Sequence, residues 1–318
     1  MKRILLVKTS SLGDVVHNLP VASDIRLHFP DARIDWVVEE LYAPLVALHP
    51  AVRRVIPVAL RRWRQRLLAR ATWKEIGEYR RLLHAERYDI IIDTQGLVKS
   101  AFAARAARGC HHGFDAGTAR EPLAARFYDV THHVAWEGQH AVTRNRLLTA
   151  AALGYRINGA ADYGIAAPRQ AQMVARPYCV LVHGSSSGDK LWPESAWIEL
   201  GGMLAAHGLD CMLPWGSDEE QRRSERIAQS LHNAVIPPLE PLDRLAVLLA
   251  GATAVVGVDT GLTHLAAALG RPVAAIYLGT DPQSTGVYGA PRAKNLGAPG
   301  SMPSPAEALQ ALVAVGAF

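Results

Sequence analysis

The chain has 318 residues, 49% of them hydrophobic, with 34 Lys and Arg against 29 Asp and Glu and a net charge of +5. That size and apolar content suit two domains with a core each, and the mild basic excess suits an anionic substrate, an acidic membrane surface or nucleic acid without choosing among them. Three cysteines at unrelated spacings, Cys110, Cys179 and Cys211, exclude a disulfide framework and a zinc site, and point to a reducing compartment.

The first element is a strand, "RILLV". Lys8 ends its apolar run after four residues, well short of the roughly 7–15 that a signal peptide needs. A loop of Thr9, Ser10, Ser11, Leu12 and Gly13 follows, then a lone carboxylate, Asp14, and a periodic helix. Asp14 at that position is a helix cap or a catalytic carboxylate, and the local pattern leaves both open. Strands are expected at "IDWVV", "RVIPV" and "DIIID", and helices from about Lys74 to Glu86, Leu97 to Ala107 and His140 to Leu153. The basic residues concentrate in "RRWRQRLLARATWK", read as a loop at the end of the third strand. Arginine forks there suit phosphates and carboxylates, and Trp63 and Trp73 suit a lipid interface, against the plainer reading of a solvated basic face. The pairs His111–His112 and His132–His133 have no metal-ligand spacing and read as surface or loop residues.

From Asn158 to Pro177 the chain is rich in Gly, Ala and Pro and loses its periodicity. The domain boundaries are therefore placed at 1–160 and 178–318, with a linker at 161–177. In the second half "YCVLVH", "GLDCMLPW", "AVI" and "AVVGVD" read as strands, with helices after Pro193, Asp218 and Pro241. Leu245 to Val258 is nearly apolar but falls short of the roughly 20 residues that span a bilayer. A cytoplasmic protein, at most peripheral to a membrane, is expected. Alternating apolar strands and helices predict an α/β fold with parallel sheets covered on both faces. "LLVKTSSLGD" and "VLVHGSSSGD" open the two halves alike, so two similar units are expected, with their loops facing a cleft.

The sharpest local signal is "VVGVDTGLTHLAAALG". A buried strand ends at Val258, Asp259 stands where an N-cap belongs, and Thr260 and Gly261 open a helix whose start favours an anion. His264 lies one turn on. In "HGSSSGDKLWPESAW", Ser185, Ser186 and Lys190 offer hydroxyls and a point charge suited to phosphate. There is no G-x-G-x-x-G after a strand, no G-x-x-x-x-G-K-[ST] and no D-x-D pair. Those absences weigh against a dinucleotide-dependent dehydrogenase, a P-loop NTPase and a metal held on a diphosphate.

"VKTSSLGDVVHNLP", "DWVVEE", "RVIPVALRRWR", "DTQGLVKSA", "TAREPLA", "HGSSSGDKLWPE", "LPWGS" and "VDTGLTHLAAALGRP" occur in this order over nearly the whole chain. Together they resemble the lipopolysaccharide core heptosyltransferases of glycosyltransferase family 9, with "RRWR" and "TAREPL" resembling the heptosyltransferase I members in particular. The resemblance implies a GT-B fold, two Rossmann-like doubly wound domains whose parallel sheets face across a cleft. It implies inverting transfer of L-glycero-D-manno-heptose from ADP-heptose to a Kdo residue of Kdo2-lipid A, without metal or cofactor. It makes Asp14 the general base and places Lys8, Arg61, Arg62, Arg64 and Arg120 on the acceptor side. On the donor side it places Ser185, Ser186 and Lys190 at the phosphates, Glu220 at the ribose, and Asp259, Thr260, Gly261 and His264 around the diphosphate and sugar. Near Leu239 and Glu240 the sequence departs from the family's adenine-side Met. The implied partners are the donor, the lipid acceptor and the anionic surface at the cytoplasmic face of the inner membrane, with no nucleic acid. Transfer to a later core sugar, a nucleotide-sugar epimerase and a non-enzymatic anion or nucleic-acid binder are the alternatives.

Overall fold

A computed structural model describes residues 1–166 and 176–318. The chain divides into two compact units, Met1–Ile165 and Ala166–Phe318. The middle of the expected linker, residues 167–175, lies outside the described residues.

In the first unit the strands are β1 (Arg3–Val7), β2 (Arg33–Glu39), β3 (Val52–Val58), β4 (Arg87–Asp93), β5 (Arg108–Phe114) and β6 (Val130–His132). They pair in parallel in the order β3-β2-β1-β4-β5-β6. Central β1 has Ile4, Leu5, Leu6 and Val7 fully buried, as a strand covered on both faces requires. The register sets Val7 beside Val37 and Asp93, so the chain leaves β1 and β4 side by side.

Two expectations fail here. "RGCHHGF" carries no Val, Ile or Leu run, yet it forms β5 against β4. Glycines permit the close approach. A Cβ on Gly109 would lie 2.6 Å from the Tyr88 carbonyl oxygen, and one on Gly113 would enter the Tyr128 ring. His111, His112 and His132 are therefore strand residues, with His111 buried, and His112 Nδ1 lies 2.9 Å from His132 Nε2. The basic stretch is likewise not a loop. It folds into helices Leu60–Gln65 and Arg70–His84, whose Trp63, Tyr79 and Leu83 pack into the core beneath β3.

The second unit has β7 (Tyr178–Val182), β8 (Asp210–Met212), β9 (Ala234–Val235), β10 (Ala254–Val258), β11 (Val273–Ile276) and β12 (Ala293–Leu296). Their order, β12-β11-β10-β7-β8-β9, is the order of the first sheet repeated, all parallel. Trp192, Trp197, Leu200, Leu204 and Ile227 pack beneath it with Val256 and Val258. The last helix is Pro305–Ala314. It buries Ala308, Ala311 and Leu312 in the core of this unit.

Both units are thus doubly wound α/β sheets. In each, the strand order reverses between two neighbours, β1 and β4 in one and β7 and β10 in the other. Loops diverge at the carboxyl ends of such a pair and leave a crevice where ligands bind.

Candidate active site

At the β1/β4 reversal the chain runs straight from Val7 into Lys8, which is only 4% exposed. Its Nζ donates to the Thr94 carbonyl at 2.8 Å and to Asn145 Oδ1 at 3.3 Å. Burial brings its pKa down to about 8, offset by Asp14 and reinforced by Arg120. The loop beyond is fastened by Gln95, whose Oε1 accepts from Thr9 N at 3.0 Å and Ser10 N at 3.2 Å. Asp93, fully buried, accepts from Gln95 N, Ser100 and Tyr128 at 2.8–2.9 Å. Burial pushes its pKa up against those bonds.

Asp14 is not the N-cap of the helix Leu12–Val16 but closes its capping box from the third position. Ser11 holds the N-cap position. Its Oδ2 accepts from Ser11 N at 3.0 Å, Ser11 Oγ at 3.3 Å and Arg120 NH1 at 3.2 Å. Burial by itself would raise its pKa, but Lys8, Arg120 and the Ser11 amide together hold it below the ordinary carboxylate range. Asp14 is therefore ionised at neutral pH between two cations. The Arg120 backbone packs against Gly96, which has φ +67° and where a Cβ would lie only 3.2 Å from Arg120 N. Arg144, its guanidinium 3.3 Å from the Trp136 ring centre and donating to Thr118 O at 2.7 Å, braces the same segment.

The three acceptor-side arginines expected in the basic stretch differ in use. Arg62 is spent on carboxylates, its fork on Glu40 at 3.0 Å and its NH1 on Glu75 at 2.9 Å. Arg61 and Arg64 are exposed and line a cavity of about 960 Å³ that also reaches Ser10 of the Asp14 loop and Lys99. Lys99 Nζ donates to Ser10 Oγ at 3.3 Å.

At the β7/β10 reversal, Asp259 is buried at the end of β10, but Thr260 takes the N-cap position of the helix Gly261–Ala268. The Asp259 carboxylate instead accepts from Lys190 Nζ at 2.7 Å and Thr280 Oγ1 at 2.6 Å, and its Oδ1 lies 3.3 Å from His264 Nε2. Burial would raise its pKa, but the His264, Lys190 and Thr280 bonds hold it far below the ordinary carboxylate range. Asp259 thus positions Lys190 beside the helix start. There Thr263 N and His264 N bond the Thr260 carbonyl, and the earlier amides of Gly261 and Leu262 stand ahead of these bonds. Glu220 lies against Gly184, where a Cβ would collide with its carboxylate, and its Oε2 accepts from Gly216 N at 2.7 Å. Ser185 Oγ accepts from Ser187 N at 3.3 Å, and Ser186 is exposed. Leu239 is exposed and Glu240 half-buried on the segment after β9.

The structure thus joins Lys8, Asp14 and Arg120 in one cluster, and Lys190, Asp259 and His264 in another. Sequence reasoning missed Gln95, Arg144 and Thr280. Gln95 sits in "DTQG", a polar turn at a strand's carboxyl end, and that placement was the available signal. Thr280 follows β11, a strand that was not expected.

The profile of glycosyltransferase family 9 (heptosyltransferase) matches residues 76–308. Lipopolysaccharide heptosyltransferase 1 of Escherichia coli is 47% identical over 291 residues, covering 90% of this chain and 91% of that protein. The chain belongs to glycosyltransferase family 9. Lipopolysaccharide heptosyltransferase 1 of Pseudomonas aeruginosa is also 47% identical, over 90% of this chain and 81% of its own. Lipopolysaccharide heptosyltransferase 2 of Salmonella typhimurium is 26% identical over 89% of this chain and 84% of its own. The solved structure of E. coli heptosyltransferase WaaC with ADP superposes with a TM-score of 0.91 at 43% identity, over 99% of this chain and all of that one. WaaC with ADP-2-deoxy-2-fluoro heptose gives 0.86 at 44% identity, over 98% of this chain and 99% of that one. Two doubly wound units in one chain are the GT-B plan that the sequence reading expected.

Proposed function

We propose that the protein transfers L-glycero-D-manno-heptose from ADP-heptose to a Kdo residue of Kdo2-lipid A, with inversion and without metal. The observation that carries this reading is the likeness, over 98% or more of the chain, to WaaC structures holding ADP and ADP-2-deoxy-2-fluoro heptose. The identity to heptosyltransferase 1 of Escherichia coli, 47% against 26% to heptosyltransferase 2 of Salmonella typhimurium, favours a Kdo acceptor over a later core sugar.

Asp14 takes the proton of the acceptor hydroxyl as that oxygen attacks the anomeric carbon of the heptose. The bond from that carbon to the diphosphate breaks, and ADP leaves from the opposite face. Charge grows on the departing phosphate, where Lys190 and the amides at the start of Gly261–Ala268 stabilise it. Asp259 keeps Lys190 in place, and Ser185 and Ser186 add hydroxyls. Glu220 is assigned to the ribose. Lys8 keeps Asp14 ionised, and Arg120, Arg61 and Arg64 hold the acceptor's carboxylates and phosphates. The work is done at the cytoplasmic face of the inner membrane. Incubation with ADP-heptose and Kdo2-lipid A, following ADP with each omitted in turn, tests the assignment. ADP release that does not depend on the lipid would overturn it.

A further inference from the structure

Strand β5 carries a cluster that the transfer chemistry leaves unused. Cys110 and His112 stand two residues apart on it, so their side chains share one face of the sheet. Cys110 is exposed and in no disulfide, whereas Cys179 and Cys211 are fully buried. Cys110 Sγ lies 3.4 Å from His112 Nε2, and His112 Nδ1 lies 2.9 Å from His132 Nε2 on the neighbouring strand β6. The two ring planes differ by only 17°, which suits an in-plane N–H···N bond. Burial holds His112 below the ordinary imidazole range, with His132 and His111 adding to it against Asp129, and burial lowers His132 as well. Both rings are therefore neutral at pH 7, and one proton is shared between them.

With that proton on His112 Nδ1, its Nε2 presents a lone pair to the thiol. Nucleophile, base and a group that orients the base then stand in sequence, the arrangement that activates a thiol. Among the described residues no group of three His, Cys, Asp or Glu side chains is placed to hold a metal ion, so a proton relay is the chemistry this cluster offers. The thiol also opens on a cavity of about 610 Å³ lined by Arg87, Asp89 and Arg108 at the starts of β4 and β5. Asp89 accepts from the Arg3 amide at 2.7 Å, and the two guanidiniums leave that wall with an excess of positive charge. The site is apart from Asp14. Cys110 pairs with Ile90 and Ile90 with Ile4, so the thiol lies at the level of Ile4, three residues before β1 ends at Val7.

We propose that Cys110 is a modification site that exchanges with a small anionic disulfide. His112 Nε2 takes the thiol proton as Sγ attacks one sulfur of the incoming disulfide. The bond between the two incoming sulfurs breaks, and a new one joins Cys110 to the sulfur attacked. The other sulfur departs as a thiolate and takes the proton back from His112. The Cys110 sulfur is oxidised and the departing sulfur reduced, so the step needs no further reagent. Arg87 and Arg108 receive the carboxylates of the incoming molecule.

The test incubates the full chain at neutral pH with glutathione disulfide and, in parallel, with the uncharged hydroxyethyl disulfide. Adducts are followed by intact mass and located by peptide mapping. One adduct is expected, on Cys110, and none in Cys110→Ser. An unassisted thiol is only a few per cent thiolate at neutral pH, so loss of the base in His112→Gln should slow both reagents by about tenfold. His132→Gln, on the edge strand β6, is the second variant in case His112→Gln melts early, and it too should slow both reagents. Arg87→Gln with Arg108→Gln should slow glutathione disulfide and leave hydroxyethyl disulfide unchanged. A wild-type protein that forms no adduct on Cys110 would overturn the site. Wild-type rates in both histidine variants would overturn the relay, and an arginine variant that reacts with glutathione disulfide at the wild-type rate would overturn the anionic ligand. Mass is read without turnover, so these outcomes stand whether or not the transferase reading does.

Discussion

Asp14 holds a structural bond to Ser11 N and is assigned a chemical task, and the two respond differently to substitution. In Asp14→Asn the amide oxygen still accepts from the Ser11 amide, so the helix Leu12–Val16 keeps its closing bond. Asn cannot take a proton at neutral pH. Turnover should fall by about 10²–10⁴-fold, the usual worth of a general base, with ADP-heptose affinity and the thermal melt little changed. Retention of more than about a tenth of turnover would make Asp14 a helix-capping residue only. Arg120 supplies a second reading of the same group. Its cation is among the causes that lower the Asp14 pKa. Removing that charge in Arg120→Gln raises the pKa, so the acid limb of the kcat profile should move to higher pH. The sign follows because the base acts ionised, and a carboxylate that loses a cation needs a higher pH to reach that form. An acid limb that stays in place would remove Arg120 from contact with the base.

At the scale of elements, the two basic helices separate arginines that look alike in the sequence. Arg61 and Arg64 line the cavity that reaches Ser10, whereas Arg62 ties Leu60–Gln65 to Glu40 and to Glu75 of the next helix. Arg61→Ala with Arg64→Ala should raise the KM for the lipid acceptor and leave that for ADP-heptose unchanged. Arg62→Ala should instead lower the melting temperature, because it strands two carboxylates side by side. Steady-state kinetics and a melt on each variant decide the matter, and an equal rise in both KM values would contradict the acceptor assignment. In the second unit the corresponding device is Asp259 with Lys190. Asp259→Asn keeps a hydrogen bond to Lys190 but loses the charge that anchors it. The KM for ADP-heptose should therefore rise, while that for the acceptor holds.

Over the whole molecule, one plan is used twice, a doubly wound sheet with polar loops at its reversal point. Among the described residues no group of three His, Cys, Asp or Glu side chains is placed to hold a metal ion. Lys190 and a helix start are the groups assigned to the leaving diphosphate, so turnover should survive EDTA. Loss under chelation that magnesium restores would sink that assignment. The apolar runs of β1, β4, β7 and β10, and the hydroxyl, glycine and acid residues that follow them, were legible in the sequence. Periodicity, chain punctuation and motif chemistry are properties of neighbouring residues, and those central strands are buried whatever lies around them. The sequence by itself therefore determined two α/β units, the loops that carry Asp14, Lys190 and Asp259, and the family. Only the tertiary structure decided the partners of those residues. Lys8 meets Asn145 across 137 positions, Asp14 meets Arg120 across 106, and Lys190 meets Asp259 across 69. Nothing local marks such pairs, because the contact is made by the sheet order that folds the strands side by side. The same holds for β5, whose glycines and histidines have little strand character of their own. They become a strand because β4 offers a hydrogen-bonding edge and Tyr88 and Tyr128 leave room for a backbone without side chains.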